Sequence, residues 1–91
     1  MKKISIGKQV KVGPNCSIGA CVIGDRVQIG RAVIIEDGCS IGADTTIKSG
    51  CILGRDSSIG ENVVLEQGVI VCERAKISDK KKVKAGSVVR K

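Results

Sequence analysis

The side chains that could do chemistry in this 91-residue chain are five cysteines, nine carboxylates and sixteen lysines and arginines. Histidine is absent. Without histidine, no other residue offers an obvious general base near neutral pH. A zinc site would have to use four cysteines, and the cysteine spacings match no such site. We therefore predict no catalytic residue, no metal site and no cofactor.

The cysteines are odd in number and do not form the framework of a disulfide-rich secreted domain. Cys16, Cys39 and Cys51 fall in a column of small residues that we expect to face the interior, where a thiol is an inert small hydrophobe. Cys21 and Cys72 fall at turn positions and are expected to be exposed. The chain has no signal-peptide apolar run and no segment near the ~18 apolar residues of a membrane span. We therefore predict reduced thiols in a cytoplasmic protein that does not enter a membrane.

The net charge of +7 is concentrated at the C-terminal end of the chain. Residues 74–91 contain eight basic residues and one acid, Asp79, so the preceding residues sum to zero. Lys80, Lys82 and Lys84 could bind an anion such as a nucleotide, a cofactor phosphate or nucleic acid. Nucleic acid is the less favoured partner, since no aromatic residue is present to stack on bases. The alternative, which we favour, is a charged cap, because lysines discourage another chain from pairing with an open strand edge.

A six-residue repeat runs through nearly the whole chain and must position these side chains. Its aliphatic column has one five-residue step, Ile18 to Ile23, and consists of Ile6, Val12, Ile18, Ile23, Ile29, Ile35, Ile41, Ile47, Leu53, Ile59, Leu65, Val71, Ile77, Val83 and Val89. A second column of small or β-branched residues lies four positions after each aliphatic residue. It includes Val22, and Lys81 is its one exception, so we expect the interior to end near that rung.

The spacing of the two columns predicts short strands joined by tight turns. Because a strand alternates faces with period two, both columns point inward and the residue between them points outward. The other three positions make a turn, where glycine tolerates unusual backbone angles. Turn carboxylates and the arginines Arg26, Arg31, Arg55 and Arg74 should form solvated corner pairs that add little stability.

This pattern resembles that of the hexapeptide-repeat family. The resemblance implies an all-β fold, a left-handed parallel β-helix of about five triangular coils with 18 residues each. Residues 1–91 then form a single domain, in which residues 78–91 are the basic final coil or cap.

Taking every third rung separates the outward residues into three faces. One face carries Lys11, Gln28, Thr46, Val64 and Lys82, and a second carries Ser40, Ser58 and Lys76, with no residue from the shortened rung. The third carries Ser17 and then four aliphatic residues: Ile34, Ile52, Ile70 and Val88. A stripe of this kind is rarely left in contact with water, so we predict an oligomer interface at these four residues. Members of the resembled family are commonly trimers, which favours a trimer over a dimer.

Segments such as Val22-Ile23-Gly24-Asp25 and Ser58-Ile59-Gly60-Glu61 resemble the C-terminal β-helix of sugar-phosphate nucleotidyltransferases and of related acyltransferases. In the former, the β-helix mainly assembles subunits. Acyltransferases of the family use a histidine base and loops between rungs, and this chain has neither. The favoured hypothesis is a non-catalytic oligomerisation module, either free-standing or part of a larger enzyme. The alternatives are an acyltransferase-like protein with an atypical or lost active site and an anion-binding module.

Overall fold

The computed structural model describes residues 4–90. These residues form fifteen two-residue strands separated by turns. In chain order the strands are β1 (Ser5–Ile6), β2 (Lys11–Val12), β3 (Ser17–Ile18), β4 (Val22–Ile23), β5 (Gln28–Ile29), β6 (Ile34–Ile35), β7 (Ser40–Ile41), β8 (Thr46–Ile47), β9 (Ile52–Leu53), β10 (Ser58–Ile59), β11 (Val64–Leu65), β12 (Ile70–Val71), β13 (Lys76–Ile77), β14 (Lys82–Val83) and β15 (Val88–Val89). Residues 4–90 include no helix of a length and hydrophobicity that would span a bilayer.

Every third strand along the chain pairs with its neighbour one coil away, which gives three parallel sheets. The first sheet has the order β1-β4-β7-β10-β13, the second β2-β5-β8-β11-β14 and the third β3-β6-β9-β12-β15. Registers such as Ser40 with Ser58 place equivalent hexad positions of successive coils side by side. The prediction of an all-β parallel solenoid with about five coils is confirmed. Its three sheets are consistent with the left-handed β-helix that the family resemblance implies.

The interior is a continuous column of aliphatic side chains and thiols between Cys21 and Ile77. Both inward positions of a strand are buried, as Val33 and Ile35 show with exposures of 0% and 1%. The hydroxyl of Thr45 is also buried, and it donates a 2.8 Å hydrogen bond to the carbonyl oxygen of Gly60. Hydrogen bonding of this kind removes the penalty of placing a polar group in an apolar core.

The inward positions of the first and last described coils are open. Ile4 and Ile6 are 52% and 51% exposed at one end, and Val83 and Val89 are only half-buried at the other. Lys81 is exposed although it occupies the inward column. Among residues 4–90, the fully buried part of the interior therefore runs from Cys21 to Ile77.

The structure shows that the predicted orientations of two residues next to the shortened step between Ile18 and Ile23 are wrong. Cys21, expected at an exposed turn position, is 2% exposed, whereas Val22, expected to point inward, is 54% exposed. In the six-residue repeats the third turn residue has a positive φ, such as 61° at Asp44, but no residue between Ile18 and Ile23 does. The shortened turn therefore lacks this left-handed residue, and the strand keeps its register. Cys21 enters the interior column as a result, and Val22 becomes an outward residue of the first sheet.

The turn glycines serve close packing as well as unusual backbone angles. Glycine directly after the aliphatic residue lies against the next coil, and a Cβ on Gly42 would be 2.6 Å from the carbonyl carbon of Gly60. Some of these glycines also face a carboxylate of the next coil. Asp25 is one such carboxylate: it lies next to Gly7 and accepts a 2.8 Å hydrogen bond from the backbone N–H of Lys8. Positive φ belongs instead to the third turn residue.

Candidate functional site

Four aliphatic side chains form a straight row on the outside of the third sheet. Strand pairing places Ile34 beside Ile52, Ile52 beside Ile70 and Ile70 beside Val88. Their exposed fractions are 41%, 36%, 40% and 49%. At the spacing of parallel strands the row is about 14 Å long. We call these four residues the apolar stripe, and the structure brings together all four residues that the sequence assigned to an interface.

The apolar stripe has no counterpart on the other two sheets within residues 4–90. Each of those sheets has one exposed or half-exposed aliphatic residue in its outward row, Val22 on the first and Val64 on the second. Their strand neighbours are polar, since Val22 lies between Ser5 and Ser40. A single exposed aliphatic residue is ordinary for a protein surface, whereas a contiguous exposed row is unusual for one.

At the corner next to the apolar stripe, the column of third turn residues, which we call the bare corner, has almost no side chains. The third turn residues that precede these strands are Ala32, Gly50, Gly68 and Gly86. A Cβ built on Gly68 or Gly86 would meet nothing within 4 Å. The backbone does not require glycine at this position, because Asp44 and Asn62 adopt φ values of 61° and 57° at equivalent turns. The bare corner lets another molecule approach the sheet closely, and sequence reasoning overlooked it although the column is visible in the hexad alignment.

A shallow hollow of about 270 Å³ lies at the start of the apolar stripe. Its lining includes Ser17 and Ile34 together with the charged residues Asp37 and Arg55. Charged residues therefore lie beside the apolar row at this end of the third sheet.

Burial of the apolar stripe would favour association. Each side chain is less than half exposed, so covering it completely would contribute about 0.5–1.5 kcal/mol before the cost of association. Four such residues on each copy of a symmetric assembly would together contribute more to association than a single exposed aliphatic residue could.

The lysine-rich end forms a second candidate surface. Lys82 and Lys84 line a hollow of about 350 Å³ together with Lys76, Lys81 and the apolar Val83. Lys80, the third residue of the predicted anion site, does not line this hollow. It occupies the left-handed turn position with φ of 63°.

The thiols are arranged as packing residues. Burial raises the pKa of Cys21, Cys39 and Cys51, which keeps these thiols protonated and unreactive. Cys39 Sγ lies 3.0 Å from the carbonyl oxygen of Gly54 and accordingly donates to it within the core. Cys72 is half-buried at its turn. Within residues 4–90 no cluster of three or more potential metal ligands occurs.

Comparison with known proteins identifies a family for the complete sequence. The family model described as "GMPPB C-terminal domain" matches residues 1–91. Comparison with curated proteins gives no match.

Two solved structures are similar in fold to this chain. PerB from Caulobacter crescentus, in complex with CoA and GDP-perosamine, is 17% identical with a TM-score of 0.46, and the match covers 92% of this chain and 47% of PerB. The acetyltransferase domain of PglB from Neisseria gonorrhoeae is 16% identical with a TM-score of 0.39, and the match covers 96% of this chain and 51% of that domain. The chain therefore spans about half the length of each.

Proposed function

Because the chain belongs to the GMPPB C-terminal domain family, we propose that it is an oligomerisation module of a nucleotidyltransferase-type protein and does no catalysis itself. The apolar stripe beside the bare corner is the observation that carries this proposal. In the proposed assembly, the third sheet of one copy packs against the third sheets of other copies. The module holds subunits together, and the chemistry belongs to a separate part of the assembled protein.

A trimer is the proposed assembly. Hexapeptide-repeat proteins commonly form trimers, and a prism with one apolar face out of three can place that face around a threefold axis. The two polar sheets then remain in water, which agrees with outward residues such as Gln28, Ser40 and Ser58. A twofold arrangement would use the same residues and is the second possible stoichiometry.

The proposal of a non-catalytic role is supported by the chemistry of the available side chains. The sequence has no histidine. The thiols of Cys21, Cys39 and Cys51 are buried, and burial raises the pKa of each. Free thiols also agree with a reducing compartment such as the cytoplasm, which we propose as the location.

A lysine in the apolar stripe tests the proposal. Ile52→Lys should dissociate the assembly, because burying an unpaired ammonium costs about 2 kcal/mol or more. Ile52 is 36% exposed in the single chain, so the variant should keep the β-sheet circular dichroism spectrum and thermal unfolding of a folded monomer. Sedimentation velocity of the variant and the unmodified chain measures the effect.

Ser40→Lys is the matched control. Ser40 occupies the same outward hexad position on the first sheet and is exposed, so its lysine variant should sediment like the unmodified chain. If Ile52→Lys leaves the sedimentation coefficient unchanged, or if Ser40→Lys lowers it equally, the apolar stripe is not the interface.

A further inference from the structure

We propose that a hollow on the outward face of the second sheet, which we call the side hollow, binds a phosphate dianion, either as the free ion or as the phosphate group of a small monoester. The side hollow has a volume of about 300 Å³ and extends from β2 in the first coil to Gln67 in the fourth. It lies on the side of the prism, so the argument depends neither on what precedes or follows residues 4–90 nor on the oligomerisation proposed above.

The polar side chains that line the side hollow carry hydrogen-bond donors and include no carboxylate. They are two lysines, two glutamines and two hydroxyl residues: Lys11, Lys48, Gln28, Gln67, Thr46 and Ser49. The rest of the lining is aliphatic residues and glycine. Phosphate oxygens accept hydrogen bonds from ammonium, amide and hydroxyl groups, and the bonds from ammonium groups are the strong ones. The lining therefore suits an oxyanion and offers nothing that would repel it.

Both lysines of the side hollow are available to a ligand. Neither Lys11 nor Lys48 takes part in an ion pair within residues 4–90, whereas Nζ of Lys82 lies 3.6 Å from a carboxylate oxygen of Glu66. Lys11 and Lys48 lie two coils apart, which is about 9.6 Å at the spacing of parallel strands. Long flexible side chains can close this separation, so two ammonium groups can contact one doubly charged ligand from opposite sides.

The neutral donors of the side hollow are also available, and they belong to side chains. The backbone N–H groups of Gln28 and Thr46 already donate to the carbonyl oxygens of Thr45 and Val63 at 3.0 and 2.8 Å. The side chains of Gln28, Thr46 and Gln67 make no hydrogen bond within the described part of the chain. A bound phosphate would therefore gain these donors without breaking the sheet.

A larger hollow of about 680 Å³ adjoins the side hollow, because Lys11, Gln28 and Thr46 line both. Its lining also includes Arg26 and Asp44, which form an ion pair with each other. The organic part of a phosphate monoester could extend into this space. Gln28, which lines both hollows, could then hydrogen-bond a hydroxyl group of that part.

NMR titration of the labelled chain tests the site, with glycerol 3-phosphate and inorganic phosphate as ligands and glycerol as the neutral control. The side-chain amide resonances of Gln28 and Gln67 should shift saturably in about 100 mM sodium chloride, which largely screens exposed charges more than about 10 Å apart. Glycerol should leave both resonances unchanged. Tighter binding of glycerol 3-phosphate would identify a monoester as the ligand, and tighter binding of inorganic phosphate would identify the free ion.

A pair of lysine variants locates the binding. Lys11→Gln/Lys48→Gln should weaken it at least about tenfold, because the charge-assisted hydrogen bonds are lost. Both lysines are exposed, so the fold should be retained. Lys82→Gln/Lys84→Gln makes the same charge change at the lysine-rich end and should keep the affinity of the unmodified chain.

Thr46→Val tests the hydroxyl contact separately from charge. Valine already occupies the equivalent position of the next coil, where Val64 pairs with Thr46, so the strand should be undisturbed. Loss of one neutral hydrogen bond should weaken binding by about twofold to tenfold.

Three results would overturn the inference. The first is the absence of saturable shifts at Gln28 and Gln67 with both phosphate ligands. The second is an equal loss of affinity in the two lysine double variants, which would show general attraction to a basic protein. The third is an equal response to added sodium chloride alone, which would show screening without binding. The sedimentation test of the apolar stripe is independent of all three.

Discussion

Arg26 and Asp44 form the best-defined ion pair at the corners of the prism. Nε of Arg26 lies 2.6 Å from Oδ1 of Asp44, and Nη2 lies 3.0 Å from Oδ2. Both residues are the third residue of their turns, one coil apart, with φ values of 59° and 61°. The sequence predicted pairing at the turns and named Arg26 among the arginines. It could not select the partner, because rotamers decide which of several carboxylates within reach is used.

The pKa of Asp44 lies below its ordinary value, first because Arg26 donates hydrogen bonds to the carboxylate and second because of the guanidinium charge. A carboxyl group with a lowered folded-state pKa stabilises the fold above its unfolded pKa, and this contribution is lost as the pH falls through the folded value. Arg26→Gln should therefore raise the pKa of Asp44 towards the ordinary value. Gln9 already adopts φ of 59° at an equivalent turn, so glutamine is compatible with the backbone.

Carbon-13 NMR titration of the Asp44 carboxyl group measures this change. The difference in stability between Arg26→Gln and the unmodified chain should also disappear in acid, where Asp44 is protonated in both proteins. An unchanged carboxyl pKa in the variant would show that the ion pair does not form in solution.

The buried thiols show where residue-level sequence reasoning succeeded. Cys39 and Cys51 were placed in the interior because they fall in the small column, and they are 1% and 0% exposed. Cys21 was misplaced, because counting four positions forward from Ile18 assumes a turn of constant length. Counting two positions back from Ile23 assigns it correctly, since period-two alternation within a strand survives a change in the turn.

At the scale of the element, the sequence predicts that each hexad contains a turn and where in the hexad it lies. It does not predict what each turn glycine does. The sequence analysis assigned unusual backbone angles to turn glycines in general. The structure shows that glycines directly after the aliphatic residue touch the next coil, whereas glycines at the third turn position have φ near +70° or above. Gly42 belongs to the first kind and Gly68, with φ of 71°, to the second.

Gly42→Ala should destabilise the fold strongly. Its Cβ would lie 2.6 Å from the carbonyl carbon of Gly60 and 2.7 Å from the nitrogen of Glu61, both of which are backbone atoms. Separating the coils to admit it should cost about 1–3 kcal/mol or more. Urea unfolding in an Ile52→Lys background measures the free energy of unfolding without a contribution from association.

Gly68→Asn is the matched control for this substitution. Asparagine tolerates the left-handed backbone, and nothing lies within 4 Å of the added Cβ, so the free energy of unfolding should change little. Equal destabilisation by the two variants would contradict the assignment of close coil packing to Gly42.

At the scale of the whole molecule, the position of each residue within the six-residue repeat predicts the number of coils and the three sheets. It also predicts which four residues form the apolar stripe. Each of these follows from positions two, six and eighteen residues apart, and packing cannot easily override such a strict period. The bare corner beside Gly68 and the hollow lined by Lys82 were not predicted. Both depend on what adjacent coils leave uncovered, which is a property of the stacked structure and not of one repeat.

The molecular mass of the unmodified chain, measured by light scattering across a range of concentrations, tests the central claim most directly. We predict a mass three times the 9.5 kDa of one chain, maintained on dilution into the low micromolar range. A mass twice that of one chain would keep the apolar stripe as an interface but contradict the proposed trimer. A mass of 9.5 kDa at high micromolar concentration would contradict the claim that Ile34, Ile52, Ile70 and Val88 join copies of this chain.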